Sequence, residues 1–115
     1  MTVRSQCLIQ YSSTGASLSP RFTCPQGYVT LVKSAYVFNA STASVNVILE
    51  VQNASFAAGV WAVEFPLASL GAGGWEGSIA LNPGDSVIMN NLTNNVAVWV
   101  SGAILLGTNQ FPVAS

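Results

Sequence analysis

The stretch VNVILEVQ occupies residues 45–52 and alternates in hydropathy with a period of two. Its odd-numbered residues are all Val or Leu, whereas its even-numbered residues are mostly polar. The same alternation recurs over residues 96–101, where Val96, Val98 and Val100 alternate with Ala97, Trp99 and Ser101. A period of two in runs rich in Val, Ile and aromatic residues is typical of β-strands. The best helical candidate, residues 56–70, contains Pro66 in its middle, which argues against a helix.

Turn-forming residues divide the rest of the chain at short intervals. Residues 82–85, Asn-Pro-Gly-Asp, predict a type II turn, because Pro presets the second position and Gly supplies a positive φ at the third. The runs between such signals predict strands at about 2–12, 21–24, 28–38, 45–52, 60–67, 75–81, 86–90 and 96–106. Seven or eight strands predict an all-β fold: a single-domain antiparallel β-sandwich, jelly-roll-like, over residues 1–115.

The connections lead to further expectations. The third and fourth predicted strands are expected to form a hairpin through residues 39–44, and the last two through residues 91–95. The glycine-rich residues 71–74 are expected to form a turn. Residues 107–115 lose the alternation and are predicted to be a C-terminal arm or a surface-bound tail.

The composition excludes several classes of function. Half of the 115 residues are hydrophobic, and the chain has only three basic and four acidic residues, with a net charge of −1. Nucleic-acid and anionic-membrane binding need clusters of Lys and Arg, so neither is expected. Mean hydropathy is high, +0.49. The longest weakly polar run, residues 96–106, is nevertheless far shorter than the ~20 residues of a membrane span. No signal peptide is evident.

Catalytic chemistry is not indicated either. The chain has no histidine, so no serine can be activated by one. The carboxylates are scattered, and each is expected to be solvated or salt-bridged: Glu50, Glu64, Glu76 and Asp85. We therefore expect no enzyme activity, no catalytic residue, no metal site and no cofactor. Cys7 and Cys24 are consistent with two small buried side chains, with one disulfide or with a pair of metal ligands, and the residues leave all three open.

The composition expected at the surface indicates more about function than the search for catalytic residues does. Depletion of charge and enrichment of aromatic residues are typical of buried interfaces, and exposed strand edges usually carry Lys, other charges or Pro. A homo-oligomer, a trimer or a larger ring, is therefore predicted. The candidate interface residues are Trp99, Trp61, Trp75 and Phe111. Trp99 is the most informative, because Val96, Val98 and Val100 occupy the opposite face of its strand.

Four segments carry a resemblance to a known family. They are FTCPQGYVTLVKS at 22–34, YVFNAS at 36–41, LNPGDSV at 81–87 and VWVSGA at 98–103. Together they resemble small β-sandwich structural proteins of tailed bacteriophage virions, over residues 22–106. The resemblance implies a virion protein that decorates the capsid or sits on the collar or tail, docked on the major capsid or tail protein. It implies assembly in the reducing bacterial cytoplasm, which favours free cysteines, and it implies no catalytic residues.

The predicted function is that of a non-enzymatic virion subunit that oligomerises and docks on the capsid or tail as a decoration or cement subunit. The alternative is a carbohydrate-binding β-sandwich module for adsorption to the host surface. That alternative predicts an exposed Trp or Tyr flanked by polar groups in a groove. A small hydrolase would require two of the four carboxylates to lie close together in one pocket.

Overall fold

The computed structural model describes residues 3–12, 20–53, 59–90 and 95–106, which form eight β-strands and no helix. The strands are β1 (Val3–Ser12), β2 (Arg21–Thr23), β3 (Tyr28–Asn39), β4 (Val45–Gln52), β5 (Val60–Leu67), β6 (Ala72–Leu81), β7 (Ser86–Asn90) and β8 (Val96–Leu106). The all-β prediction is confirmed. The runs between turn signals predicted every strand end within one residue of its observed position, apart from the start of β6.

The strands form two four-stranded sheets. Sheet I has the order β1-β8-β3-β6, and sheet II has the order β2-β7-β4-β5. Antiparallel pairs join β1 with β8, β2 with β7, β3 with β6 and β4 with β5. This is the pairing of a chain doubled back on itself at the β4–β5 connection and then rolled up. The rolling creates the additional pairs β3–β8 and β4–β7. The fold is a jelly-roll β-sandwich, as predicted.

Both predicted hairpins are wrong. The strands β3 and β4 lie in different sheets, and so do β7 and β8. Among the described strands, β4 and β5 are the neighbours in sequence that also pair. The physical reason is the roll: in a jelly roll most connections cross the gap between the sheets, and partners come from distant parts of the chain.

The glycine-rich turn is also partly wrong, because β6 already begins at Ala72. Gly73 pairs with Val37 and Gly74 with Tyr36. A Cβ at Gly73 would lie 3.1 Å from Phe65 Cδ1 and 3.2 Å from Leu67 Cδ2. The missing side chain therefore makes room for β5 side chains against the edge of sheet I. Glycine usually weakens a strand, but a close approach of this kind is one reason to find it there.

One continuous core lies between the sheets. The buried side chains from sheet I include Val32, Val37, Val98 and Val100, and those from sheet II include Val47, Leu49, Val87 and Met89. The register of β3 shifts between Val32 and Ser34 against both of its neighbours. This irregularity at Lys33 reverses the alternation, so even-numbered residues face the core before it and odd-numbered residues after it.

The two cysteines are free. Cys24 is buried, and its Sγ accepts a hydrogen bond from Thr30 Oγ1 at 3.2 Å and donates one to Tyr28 O at 3.3 Å. Cys7 is exposed. The interpretation of two buried thiols is therefore right for Cys24 and wrong for Cys7, and the disulfide alternative is not what the structure contains. A β-bulge between Cys7 and Ile9 interrupts the alternation of inward- and outward-facing side chains along β1 at this point.

Candidate functional site

The outer face of sheet I exposes Trp99, as the alternation of its strand predicted. Val98 and Val100 on either side of it are buried, whereas 45% of the Trp99 side chain is exposed. A large aromatic side chain left half in solvent on a flat sheet face is a candidate contact residue.

Two further aromatic side chains surround it on β3. Tyr36 is the register partner of Trp99, and Phe38 is the partner of Ala97, the next outward residue of β8. Tyr36 is 47% exposed and Phe38 is 42% exposed. We call Tyr36, Phe38 and Trp99 the aromatic patch. The sequence did not single out Phe38, because the reversal at Lys33 that turns it outward leaves no clear local signal.

The aromatic patch borders a groove of about 550 Å³. Phe38 pairs with Ala97 on one side and with Ala72 on the other, and these small side chains leave space beside the ring. Gln10 of β1 is the register partner of Trp99 and supplies a polar side chain at the rim. The volume lies in the range of ligand-binding pockets.

The ring of Tyr36 is held in place across β6. A Cβ built at its register partner Gly74 would lie only 2.8 Å from Tyr36 Cδ1 and 2.9 Å from Cε1, so the ring lies directly over this glycine. The phenol donates a hydrogen bond to Glu76 Oε2 at 2.8 Å. This hydrogen bond, together with the negative charge of Glu76, raises the pKa of Tyr36 above its ordinary value.

Polar side chains occupy the next row of the same face. Ser34 Oγ and Ser101 Oγ share a hydrogen bond of 2.6 Å. Beyond Trp99 lies a second depression of about 320 Å³, whose lining includes Cys7, Lys33 and Ser101. Trp99 thus lies between the two depressions, and Lys33 brings a cationic side chain to the second.

Of the other predicted interface residues, Trp75 is described and does not join this patch. Trp75 is partly buried and packs against the core, in register with the fully buried Ala35. Trp61 belongs to β5, but its side chain lies outside the described residues, and so does Phe111. The predicted arm at residues 107–115 also lies outside the described residues. That Trp61, Phe111 and this arm take part in an interface stays a prediction.

The described carboxylates are spread over the molecule. Asn46 Nδ2 donates to Glu64 Oε2 at 2.6 Å, and Asp85 Oδ2 accepts from the backbone N–H of Asn82 at 3.0 Å, as a turn aspartate does. Glu50 is 7% exposed and accepts from Asn90 Nδ2 at 2.8 Å. The prediction of a solvated or salt-bridged Glu50 is therefore wrong.

The described residues contain no group of three or more His, Cys, Asp or Glu side chains placed to hold a metal ion. In the same part of the chain, no helix has the length and hydropathy needed to cross a membrane.

No protein-family model matches the chain, and no curated protein matches it. A similar solved structure is that of the Drosophila NLP core, which was described with reference to pentamer formation and histone binding. It is 13% identical, with a TM-score of 0.49 over 87% of this chain and 99% of that chain. A likeness this distant carries no argument about what this chain binds or how it assembles.

Proposed function

We propose that the chain is a non-enzymatic structural subunit of a tailed-phage virion, which oligomerises and docks on the capsid or tail as a decoration or cement subunit. The jelly-roll fold supports this by analogy, since jelly rolls are common in viral capsid proteins. The sequence resemblance over residues 22–106 supports it independently of the fold.

The observation that carries the assembly part of the proposal is the edge of sheet I formed by β6, whose outer side pairs with none of the described strands. Strand β6 (Ala72–Leu81) lies at that edge, is ten residues long and contains neither Lys nor Pro, with Glu76 as its single charge. Monomeric proteins usually protect an edge of this length with charge, Pro or a covering segment. A second subunit that contacts this edge would cover it.

A second candidate contact, formed by apolar side chains, lies at the end of sheet I that is remote from the aromatic patch. Tyr28 of β3 and Leu106 of β8 are register partners, and they are 39% and 46% exposed. Apolar side chains paired in solvent at the end of a sheet favour contact with another protein surface. This pair lies at the opposite end of β8 from the aromatic patch, so assembly through it would leave the patch free.

The first test is the mass of the full chain in solution, measured by light scattering over a dilution series. The expected result is a discrete oligomer that persists on dilution, a trimer or a larger ring. Ser78→Lys places a charge on the exposed part of β6 and should lower the oligomer order. Thr42→Lys adds the same charge in an exposed turn and serves as the control. A monomer at every concentration would contradict self-assembly.

The second test concerns location. Virions of the phage that encodes the chain should contain it in many copies after purification through a density gradient, as counted by quantitative mass spectrometry. Its absence from purified particles would overturn the virion assignment, whatever the oligomeric state.

A further inference from the structure

We infer that the groove beside the aromatic patch is a binding site for a neutral saccharide. The inference goes beyond the structural role proposed above and does not depend on it. Three features of the groove lead to it: the exposure of its rings, the hydrogen-bonding groups at its rim and its charge.

The rings are exposed in the manner that stacking requires. Tyr36 lies flat over Gly74 and is anchored by Glu76, so that its outer surface faces solvent. Trp99 is its neighbour on the adjacent strand and is exposed to nearly the same degree. Sugar rings present C–H groups on their faces, and these pack on aromatic surfaces while the hydroxyls stay at the periphery. A pre-positioned ring loses little entropy when a ligand binds.

The hydrogen-bonding groups at the rim favour a ligand rich in donors. The Tyr36 hydroxyl already donates its proton to Glu76, so it has none to offer to the carbonyl of a bound peptide. The carboxylate of Glu76 accepts several hydrogen bonds, of which Tyr36 uses one. The amide of Gln10 both donates and accepts. Sugar hydroxyls donate as well as accept and therefore match this rim better than a peptide backbone does.

Charge complementarity restricts the ligand further. The described lining of the groove contains no cationic side chain, and Glu76, although not part of that lining, holds the Tyr36 hydroxyl at its border. A phosphate, a sulfated glycan or a nucleic acid bound in the groove would lie near this negative charge, while the cationic Lys33 lies beyond Trp99, in the lining of the second depression. A neutral saccharide avoids this cost.

The test uses the full chain on a glycan array that includes neutral, sialylated and sulfated oligosaccharides. We expect neutral oligosaccharides to bind and charged ones to bind more weakly. The strongest neutral oligosaccharide is then titrated by calorimetry. Trp99→Ala should weaken its affinity at least tenfold, whereas Val60→Ala, at an exposed apolar residue of sheet II, should leave it unchanged. Circular dichroism checks that both variants are folded.

Two further variants test the geometry itself. Gly74→Ala should displace the Tyr36 ring and weaken binding severalfold, and Glu76→Gln should weaken it by removing the charged acceptor.

No binding of neutral glycans, or binding of charged ones alone, would overturn the inference. So would a Trp99→Ala variant of lowered oligomer order, because the patch would then be a subunit contact. Failure of the structural role shows separately, as a monomeric wild type or its absence from virions.

Discussion

Tyr36 shows how one backbone position without a side chain can organise a surface. Gly74 lets the phenol ring lie on β6, and Glu76, two residues further along that strand, is then within reach of the hydroxyl. The neutral phenol is favoured because a phenolate beside the carboxylate would be repelled and would lose its hydrogen bond to Glu76. The raised pKa of Tyr36 reports this arrangement.

The corresponding prediction is a titration of Tyr36. Its pKa is raised above the ordinary value of 10.0, so its contact with Glu76 stabilises the fold fully below that pH. The contribution is lost as the pH rises through the raised value. In the Glu76→Gln variant Tyr36 should ionise at lower pH than in the wild type. The measurement is phenolate absorbance against pH, with Tyr36→Phe subtracted to isolate this residue. Identical curves for wild type and Glu76→Gln would contradict the contact.

At the scale of elements, Asn39 joins two connections that the roll brings together. It ends β3 and is fully buried. Its Nδ2 donates to Ala43 O at 2.7 Å, in the β3–β4 connection, and to Ala68 O at 2.9 Å, in the β5–β6 connection. Its Oδ1 accepts from the backbone N–H and the hydroxyl of Ser41. The side chain is therefore fully used inside the fold.

Replacing this side chain should be costly. Asn39→Ala leaves two carbonyls without their donor, and we expect the free energy of unfolding to fall by about 3 kcal/mol. The measurement is urea denaturation of the variant and the wild type. Asn39→Asp keeps the acceptor for Ser41 but loses both donated bonds, so it should also be destabilised. Asn53→Ala provides a comparison at a partly exposed asparagine. A loss below about 1 kcal/mol for Asn39→Ala would show that water or a shift of the chain replaces these bonds.

At the scale of the whole molecule, the described part combines a buried apolar core with large apolar side chains exposed on its surface. Strand β8 ends at Leu106, next to Tyr28, and nine residues follow it in the sequence. These nine residues include the apolar Phe111 and Val113, and none of their side chains is charged. We therefore expect this segment, which has no charged side chain and follows exposed apolar side chains, to contact another subunit.

Removing the last five residues, 111–115, should therefore affect assembly more than folding. The expected result is an oligomer that dissociates at higher protein concentration than the wild type, with a melting temperature of the dissociated subunit that is little changed. Light scattering over a dilution series and thermal melts of the same samples measure the two effects. Phe111→Ala in the full-length chain separates the ring from the loss of length. An unchanged oligomer with a lowered subunit melting temperature would assign the segment to the fold instead.

Some of this protein could be read from its sequence because the signals are local. Turn-forming residues bound each run of strand-forming residues, so β4, β5, β7 and β8 were located to the residue. The turn at residues 82–85 is equally local: Gly84 has a φ of +90°, and Asp85 N donates to Asn82 O at 2.9 Å, as the Pro-Gly pair predicted. The outward orientation of Trp99 followed from the three valines around it.

Other features were decided by the tertiary structure, because they depend on contacts between residues distant in sequence. The choice of β8 and β6 as the partners of β3, rather than β4, comes from rolling the doubled chain around a shared core. The register of β3 shifts at Lys33 against both neighbouring strands, and this reversal places Tyr36 and Phe38 on the face that also carries Trp99. Local hydropathy thus determined which residues form strands, whereas packing between strands determined which side chains meet at the aromatic patch.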